Sequence, residues 1–382
     1  MALCASALLA LSACADPEQP APETAATPAA NPAPPVVGTA DTATSPAATP
    51  TTSLTEDSPI TLAFGGDVHF EGRLAQLVAT PDGLNALQPA LGKADVAMVN
   101  LETAITDRGV EQPKIYHFRT TPNALITLQH AGIDAVSMAN NHAVDYGPDG
   151  LADTLAAQAS SPIPVVGIGA NAAKAFTPAV FRVRGTMVAV IASTQINDYT
   201  VHTFPATETK PGVAGNLDNT RLLRAVQKAR EAYDVVVVFL HWGSDYTSCP
   251  DDAQTATATA LAAAGVDVVV GGHAHRVQGA GWLGRTYVDY GLGNFVWLNT
   301  RGPVDAVSGV LTVSVDPGRA RQLRGTDVGA RRAKPTVVTG ATWTPLLIDD
   351  DGVPRPPAPG AAANQLAAWD DARSCARLAG SP

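Results

Sequence analysis

Residues 60–69 read ITLAFGGDVH, an alternating apolar run that is followed by two glycines, an aspartate and a histidine. The run Ile60–Phe64 is typical of a buried β-strand, because apolar side chains recur at every second position and glycines end it. Residues 266–275 repeat the pattern as VDVVVGGHAH. Strands that end in glycines and metal-ligating side chains predict a fold with a functional site at the strand ends.

Further segments between residues 60 and 316 have the same strand character. They are Val96–Val99, Ala135–Met138, Val165–Val166, Met187–Ala192, Val235–Leu240, Val266–Val270 and Tyr287–Asp289. Helical segments lie between them: one opens at Thr121-Pro122, one at Asp218, and an alanine-rich one covers Gln254–Ala264. Strands that alternate with helices predict an α/β fold with much parallel sheet.

Polar side chains follow five of these strands. In an open α/β sheet, ligands bind beyond the carboxyl ends of the strands. A lone histidine there is more often structural, but five of the eight histidines at equivalent ends are hard to obtain by core packing. In chain order, the residues are Asp67, His69, Asn100, Glu102, Asn140, Asn141, His142, His241, Trp242, His273 and His275.

The donor groups at these ends are imidazoles, carboxylates and amides, without a thiolate. Such a set suits divalent Mn, Fe or Zn and disfavours iron–sulfur or Cu(I) sites. Two ions about 3.5–4 Å apart need anionic ligands and a bridging carboxylate. A histidine that does not bind metal can protonate a leaving oxygen, because its pKa lies near working pH. The pattern therefore predicts a centre with two divalent ions that catalyses hydrolysis or group transfer.

Six motifs occur in a fixed order between residues 60 and 315. They are Asp67-Val68-His69, Asn100-Leu101-Glu102, Asn140-Asn141-His142, His241-Trp242-Gly243, Gly272-His273-Ala274-His275 and Tyr290-Gly291-Leu292-Gly293-Asn294-Phe295. In combination they resemble the calcineurin-like metallophosphoesterases and, among these, the CapA family of capsule or poly-γ-glutamate synthesis proteins. The resemblance implies a four-layer αββα fold with two mixed sheets face to face and a dinuclear metal site at the strand ends.

The same resemblance implies a role for each matching residue. Asp67, His69 and His275 would hold the first metal, and Asn141, His241 and His273 would hold the second, while His142 would be the general acid. Glu102 stands where these enzymes generally have a bridging aspartate. Either Glu102 bridges with its longer side chain, or one of the two ions binds weakly or not at all.

The residues around the predicted ligands have two interpretations each. Asp145 is either a cap or loop anchor for the helix that starts near Pro148, or the partner of His142. Trp242 and Trp297 favour packing in the wall of the site over a platform for substrate. The side chains of Asn100, Asn140 and Asn294 are expected to support the ligands or to contact substrate, with a turn as the alternative for Asn294.

The N-terminal segment predicts export. Residues 1–14 end in Leu11-Ser12-Ala13-Cys14, which resembles the lipobox of bacterial lipoproteins, where the cysteine is acylated. An ordinary secretory signal is the alternative. Residues 15–58 consist almost entirely of Ala, Pro, Thr and small polar residues and predict a disordered tether, because they cannot bury enough apolar surface. We therefore expect an extracytoplasmic protein that is attached to the membrane through Cys14, without a transmembrane span.

The rest of the chain is divided into a metallophosphoesterase-like domain, 59–316, and a C-terminal extension, 317–382. Within the extension, residues 342–348 indicate a strand, prolines around residues 354–359 indicate a linker, and residues 364–378 indicate a helix. Cys249 and Cys375 are the cysteines that follow the lipobox, and an oxidising compartment permits a disulfide between them. Such a bridge would attach the extension to the loop after His241.

The charge balance bears on the partners. With 25 basic and 35 acidic residues and a net charge of −10, the chain has no basic cluster that would predict a nucleic acid partner. The run from Gly167 to Ala172 imitates a dinucleotide fingerprint, but the acidic residue required about 20 positions on is missing, which excludes a nucleotide cofactor. An acidic surface also repels a long polyanion, unless metals or local basic segments offset the repulsion.

Two functions fit these observations. The first is a metal-dependent hydrolase or transferase at the cell surface, with poly-γ-glutamate or another envelope polymer as the substrate that the resemblance implies. The second is a non-catalytic, metal-stabilised accessory protein for polymer synthesis or export. The expected partners are accordingly the envelope polymer or its synthesis machinery, and the membrane through the lipid anchor.

Overall fold

Short strands and helices alternate along most of the chain, as the sequence predicts. The computed structural model describes residues 55–298 and 302–382; the predicted signal with Cys14 and the predicted tether up to residue 54 lie outside them. The strands are β1 (Ile60–Val68), β2 (Val96–Leu101), β3 (Ala104–Ile105), β4 (Arg119–Thr120), β5 (Ala135–Ser137), β6 (Val165–Val166), β7 (Ile168–Gly169), β8 (Ala179–Val183), β9 (Thr186–Thr194), β10 (Gly212–Val213), β11 (Val235–Trp242), β12 (Val268–His273), β13 (Ala280–Leu283), β14 (Thr286–Asp289), β15 (Asn294–Val296), β16 (Val307–Val315), β17 (Val338–Ile348) and β18 (Pro354–Arg355).

The helices fill the connections between these strands. They are α1 (Gln88–Leu91), α2 (Asn123–His130), α3 (Gly147–Ser160), α4 (Ala172–Ala175), α5 (Tyr199–Thr203), α6 (Thr220–Ala232), α7 (Asp252–Ala263), α8 (Pro317–Gln322), α9 (Val328–Arg332) and α10 (Pro359–Cys375), with 3₁₀ turns at Gly72–Val78 and Asn85–Leu87. Of the helices that the structure describes, none combines the length and the apolar character needed to cross a bilayer.

Two mixed sheets hold most of the strands. The first has the order β18-β17-β16-β1-β2-β5-β6, with β15 also paired to β1, and the second has the order β13-β14-β12-β11-β9-β8. In the first sheet β1, β2, β5 and β6 run parallel, whereas β16 and β17 are antiparallel. In the second, β9, β11, β12 and β14 run parallel between antiparallel edges. The predicted α/β fold with much parallel sheet is confirmed.

Side-chain alternation along β1 shows how the layers stack. Ile60, Leu62 and Phe64 belong to one hydrophobic core, whereas Ala63 belongs to a second core on the opposite face of the sheet. The first core lies between the two sheets, where the rings of Phe64 and Phe239 are 6.5 Å apart. Each fully buried side chain of this kind contributes about 1.5–3 kcal/mol, so the alternation sets the register of the strand.

Helices cover the outer face of each sheet. Residues of α2 and α3 pack in the second core against the first sheet. Residues of α6 and α7 pack against the strands of the second sheet. The order of layers is helix, sheet, sheet, helix, and this confirms the αββα architecture that the resemblance implied.

The C-terminal extension completes this fold. Strand β17 pairs along β16, so the predicted strand is present and begins four residues earlier, at Val338. Helix α10 starts at Pro359, because proline is compatible with the first turn of a helix, and residues 354–355 form a strand where the prolines had indicated a linker. The indole rings of Trp343 in β17 and Trp369 in α10 stack at 6.0 Å.

The end of the extension is attached to the second sheet as well. Trp282 in the edge strand β13 and Ala379 exchange backbone hydrogen bonds of 2.8 and 2.9 Å. A disulfide joins Cys249 and Cys375, whose Cα atoms are 5.7 Å apart. The extension therefore links both sheets to the loop that follows β11.

Candidate metal centre

The ends of four parallel strands, two from each sheet, bring the predicted polar residues together. The sequence predicts these residues just after the strands, but Asp67, Asn100, His241 and His273 lie within the last residues of β1, β2, β11 and β12. The strands are longer than their apolar runs because backbone pairing continues past the point where side chains become polar. The register sets Asp67 opposite Asn100 in the first sheet and His241 opposite Gly272 in the second.

A direct contact joins the two sheets at this edge. The backbone N–H of His273 donates a 2.8 Å hydrogen bond to Asp67 Oδ2. Gly272 makes the approach feasible, because a Cβ atom there would lie 2.4 Å from Asp67 Oδ1. His273 and His275 have positive φ angles of 87° and 53°, a strained conformation for residues with a side chain that is common at functional sites. The strained backbone at these two residues therefore directs both imidazoles towards the same edge of the sheets.

Two overlapping groups of side chains have the spacing of metal ligands. Glu102, His241 and His273 form one group, and Asp67, Glu102 and His275 form the other; within each, one ligand atom per residue lies within 4.8 Å of the others. Glu102 belongs to both groups. That is the position that a bridging carboxylate requires.

Glu102 also provides the test of whether a cation fits. The residue is fully buried, and among the residues that the structure describes its Oε1 has no hydrogen-bond partner. Burial raises the pKa of Glu102 well above its ordinary value, and the charge of Asp67 adds to the shift. Burial lowers the pKa of His241 and of His273 well below theirs, which keeps both imidazoles neutral. In their ionised form, buried carboxylates beside neutral imidazoles need a compensating positive charge, so the donor set fits divalent metal ions.

Asn100 connects the ligands of the two groups. Its Nδ2 lies 2.8 Å from Asp67 Oδ1, 3.1 Å from His241 Nδ1 and 3.3 Å from Glu102 Oε2. Asn140 in turn donates a 3.0 Å hydrogen bond to Asn100 Oδ1. Both asparagines therefore support the ligands.

Asn141, His241 and His273, which the resemblance assigns to the second metal, converge in the structure. His241 Nε2 lies 2.7 Å from Asn141 Oδ1 and 3.2 Å from His273 Nδ1. The backbone carbonyl of Asn141 accepts a 2.7 Å hydrogen bond from the hydroxyl of Thr200. Three donors of the predicted types thus face one another.

His69 is arranged differently from the other predicted ligands. Its Nδ1 lies 3.1 Å from the backbone N–H of Glu71, its Nε2 lies 3.4 Å from that of Leu298, and its ring stacks on Phe118 at 4.4 Å. It belongs to neither group of ligand atoms. Burial lowers the pKa of His69 to about 3, with His142 adding to the shift. A metal-ligand role for His69 stays a prediction.

Asp145 does not cap α3; it is the partner of His142 and also anchors a loop, because its Oδ2 accepts a 2.8 Å hydrogen bond from the backbone N–H of Phe118. The cap position of α3 is Tyr146, without a side-chain hydrogen bond, whereas Asp145 Oδ2 lies 2.6 Å from His142 Nδ1. The other oxygen of Asp145 is 2.8 Å from Lys114 Nζ. Burial lowers the pKa of His142 to about 4, although Asp145 opposes this shift.

Asn294 lies in a strand and not in a turn, and it supports a predicted ligand. It lies in β15, and its Oδ1 is 2.8 Å from Nδ1 of His275. This contact orients one of the predicted ligands. The interpretation as a turn is therefore corrected.

Trp297 forms part of the wall of the site, whereas Trp242 packs in the hydrophobic core. Trp242 is fully buried and donates a 2.8 Å hydrogen bond to the backbone carbonyl of Tyr290. Its indole also stacks on the phenol ring of Tyr290. Trp297 lies against the rings of His69 and His275, at 4.3 and 4.6 Å between centroids. Neither presents an open face that a substrate platform would need.

Two charged residues at the site, Lys114 and Asp245, lie outside the predicted set. Lys114 donates to the carbonyl of Asn141 as well as to Asp145, yet it stands in an irregular loop without any motif. Asp245 Oδ1 lies 3.1 Å from His273 Nε2. Asp245 follows the end of β11 by three residues, so a wider window after each strand could have found it.

Comparisons with known proteins agree with the motifs. Residues 61–298 match the family described as "Bacterial capsule synthesis protein PGA_cap". The chain is 30% identical over 266 residues to "PGA biosynthesis protein CapA" of Bacillus subtilis (strain 168), which covers 67% of this chain and 69% of that protein. It is 29% identical over 264 residues to "Capsule biosynthesis protein CapA" of Bacillus anthracis, which covers 64% of this chain and 62% of that protein.

Solved structures show more distant likeness. A phosphatase from Mycoplasma pneumoniae has a TM-score of 0.46 at 14% identity, over 76% of this chain and 95% of its own. The NAD nucleotidase of Haemophilus influenzae has a TM-score of 0.40 at 14% identity, over 85% of this chain and 64% of its own.

Proposed function

We propose a function from one premise: this chain belongs to the PGA_cap family of bacterial capsule synthesis proteins. The function is that of a metal-dependent hydrolase of the phosphoesterase type, which acts on an envelope polymer during capsule or poly-γ-glutamate synthesis. The premise supports the biological process, and the chemistry of the strand ends supports the reaction type.

The observation that carries the proposal is the buried Oε1 of Glu102, which has no hydrogen bond from any residue that the structure describes. It lies 3.6 Å from His241 Nε2 and 3.9 Å from His142 Nε2. A carboxylate that the fold buries beside neutral imidazoles is costly, unless a cation completes the site. We propose that Asp67, Glu102, Asn141, His241, His273 and His275 hold this cation, or two of them, with His69 as the further predicted ligand.

The chain's own residues would then bind the substrate and move a proton. When bound, divalent ions in such a donor set would supply Lewis-acid activation of the scissile bond and of water. Asp145 fixes the Nδ1–H of His142, so Nε2 is the nitrogen that faces Glu102 and exchanges a proton with the reacting oxygen. The aromatic rings of Phe118 and Trp297 pack on one side of the site, where Phe118 stacks on His142.

We further propose that the protein works outside the cytoplasm, attached to the membrane through Cys14 and the tether. Two features support this location. One is the lipobox-like sequence, and the other is the disulfide between Cys249 and Cys375, since disulfides persist in oxidising compartments. Its partners would be an envelope polymer or the enzymes that make it.

One observation favours the second function, a non-catalytic accessory protein that metal stabilises. Glu102 stands where the related enzymes generally have an aspartate, and its longer side chain shifts the carboxylate. A carboxylate displaced in this way would leave metal binding without turnover, because near-ångström misplacement costs roughly 100-fold in rate.

The test is metal analysis of the purified full chain, with turnover assays on phosphodiester and γ-glutamyl substrates. We expect Mn, Fe or Zn to be bound, and Asp67→Asn and His273→Ala to remove it. His142→Ala should retain metal and lose about 10²–10⁴-fold in turnover. Metal-free protein whose melting temperature does not respond to Mn or Zn contradicts the metal centre, and metal without turnover favours the accessory function.

A further inference from the structure

A groove on the outer helical layer has a basic lining. It encloses about 400 Å³ between α4 and α6, and its cations are Arg221, Arg224 and Lys228. Residues three and four positions apart share one face of a helix, so the three side chains form a row. The row extends about 10 Å along the axis of α6. It stands out on a chain whose net charge is −10.

Most of this positive charge is not compensated within the groove. Glu208 contributes a carboxylate to the lining, and its Oε1 lies 3.2 Å from Arg221 Nη2. For the part of the chain that the structure describes, no ion pair joins Arg224 or Lys228 to a carboxylate. Both side chains are exposed, so a ligand can reach them.

The remaining lining is apolar. Phe176, Pro178, Ala225 and Ala229 contribute carbon surface beside the cationic row. A row of cations next to an apolar strip suits a flexible chain that carries carboxylates at regular intervals and methylene groups between them. Poly-γ-glutamate has this chemistry, with a carboxylate on every repeat and methylenes in its backbone.

We propose that the groove between α4 and α6 binds a segment of a polycarboxylate chain, namely poly-γ-glutamate. The identity of the polymer rests on the proposed function, whereas the shape and charge of the groove do not. The groove supplies the local positive charge that an acidic protein needs to hold a long polyanion. None of its lining residues belongs to the metal centre, so binding and chemistry are separable.

The test measures binding of poly-γ-glutamate of defined length to the full chain in detergent, by calorimetry or fluorescence polarisation. The variant is Arg224→Glu/Lys228→Glu, and the matched control is Lys93→Glu/Lys334→Glu, which makes the same charge change at exposed residues outside the groove. We expect the groove variant to bind about tenfold more weakly and the control within about twofold of wild type. Arg224→Gln/Lys228→Gln provides a milder change, should the reversal lower the melting temperature.

Several outcomes overturn the inference. They are equal binding by the groove variant and wild type, equal weakening by the control, and the absence of binding to poly-γ-glutamate by wild type. Preferential binding to phosphatidylglycerol vesicles would assign the row to a membrane surface and reject the polymer.

Failure of the groove and failure of the proposed function can be told apart. Asp67→Asn should lose metal and turnover but bind the polymer as wild type does. The groove variant should keep its metal and its turnover of short substrates. If Asp67→Asn alone abolishes polymer binding, the polymer is held by the metal centre and the inference fails.

Discussion

Two buried acidic residues lie near opposite ends of strand β12 and differ in their partners: Asp267 directly precedes the strand, and Glu102, which follows β2, lies beside His273 at its end. Before its start, Asp267 accepts hydrogen bonds from Arg230, from Arg331 at 2.9 Å and from the backbone N–H of Val236 at 2.8 Å. At its other end, the centre around Glu102 leaves a buried carboxylate oxygen without a hydrogen bond from any described residue. The contrast shows which buried charge belongs to the fold. Asp267 is neutralised by the chain itself, whereas Glu102 is arranged for a cation that comes from outside.

The largest expected effect on stability is at Asp267, the carboxylate that the chain's own arginines compensate. Asp267→Asn would leave Arg230 and Arg331 buried without their carboxylate, which costs about 3–5 kcal/mol of unfolding free energy. Metal content should remain at the wild-type level, because the strand ends are not touched. Urea unfolding and metal analysis measure the two quantities. A variant as stable as wild type would mean that Asp267 does not compensate the two arginines.

Glu102→Gln is the matched change at the other end of the comparison, and it should have the reverse pattern. We expect at least about 100-fold weaker metal binding, since the substitution removes the carboxylate common to both ligand groups. The metal-free variant should be as stable as metal-free wild type or more stable, because a neutral amide is easier to bury than a carboxylate. Metal titration and thermal unfolding after chelation decide this. If the chelated variant is instead less stable than chelated wild type, the carboxylate of Glu102 stabilises the fold without metal, as that of Asp267 does.

Asp289 sharpens the comparison through pH, because it is a buried acid outside both networks. Burial raises the pKa of Asp289 from 3.8 to about 8. Its folded form therefore holds a proton that the unfolded chain releases, and its contribution is complete below pH 3.8 and lost as the pH rises towards 8. Between pH 6 and 8 the free energy of unfolding of the wild type should fall by about 1–3 kcal/mol, whereas that of Asp289→Asn should not show this fall. Denaturant unfolding of both proteins, each loaded with metal, measures the difference; parallel pH profiles would contradict it.

The same contrast explains what the sequence could predict. Local signals located the ligand-bearing strands, because each combines a short apolar run, glycines and polar residues that lie close together in the chain. Strand β16 lies outside the predicted strands, since Ser308 and Gly309 interrupt its pattern. In the fold, Gly309 gives room to Trp343 from β17, whose indole would lie 2.3 Å from an added Cβ atom.

Contacts between distant segments could not be predicted. The Asp267 network joins α6, the start of β12 and α9, and none of its members stands in a motif. Lys114 and the orientation of Asn294 likewise depend on loops that tertiary packing places. The predicted ligand types were informative because metal chemistry restricts them, whereas an arginine or a lysine can pair with any nearby carboxylate.

Asp145 gives the last and smallest test, because it combines both regions: it lies at the metal centre, yet Lys114 compensates it. Lys114→Met should lower turnover about tenfold through a less fixed His142, while metal content stays unchanged. Lys114→Arg should restore part of the turnover, since it restores the charge beside Asp145. Turnover with kcat and KM resolved, together with metal analysis, measures this. A change confined to KM would show that Lys114 contacts substrate, and loss of metal would show that its bond to the carbonyl of Asn141 supports the ligand itself.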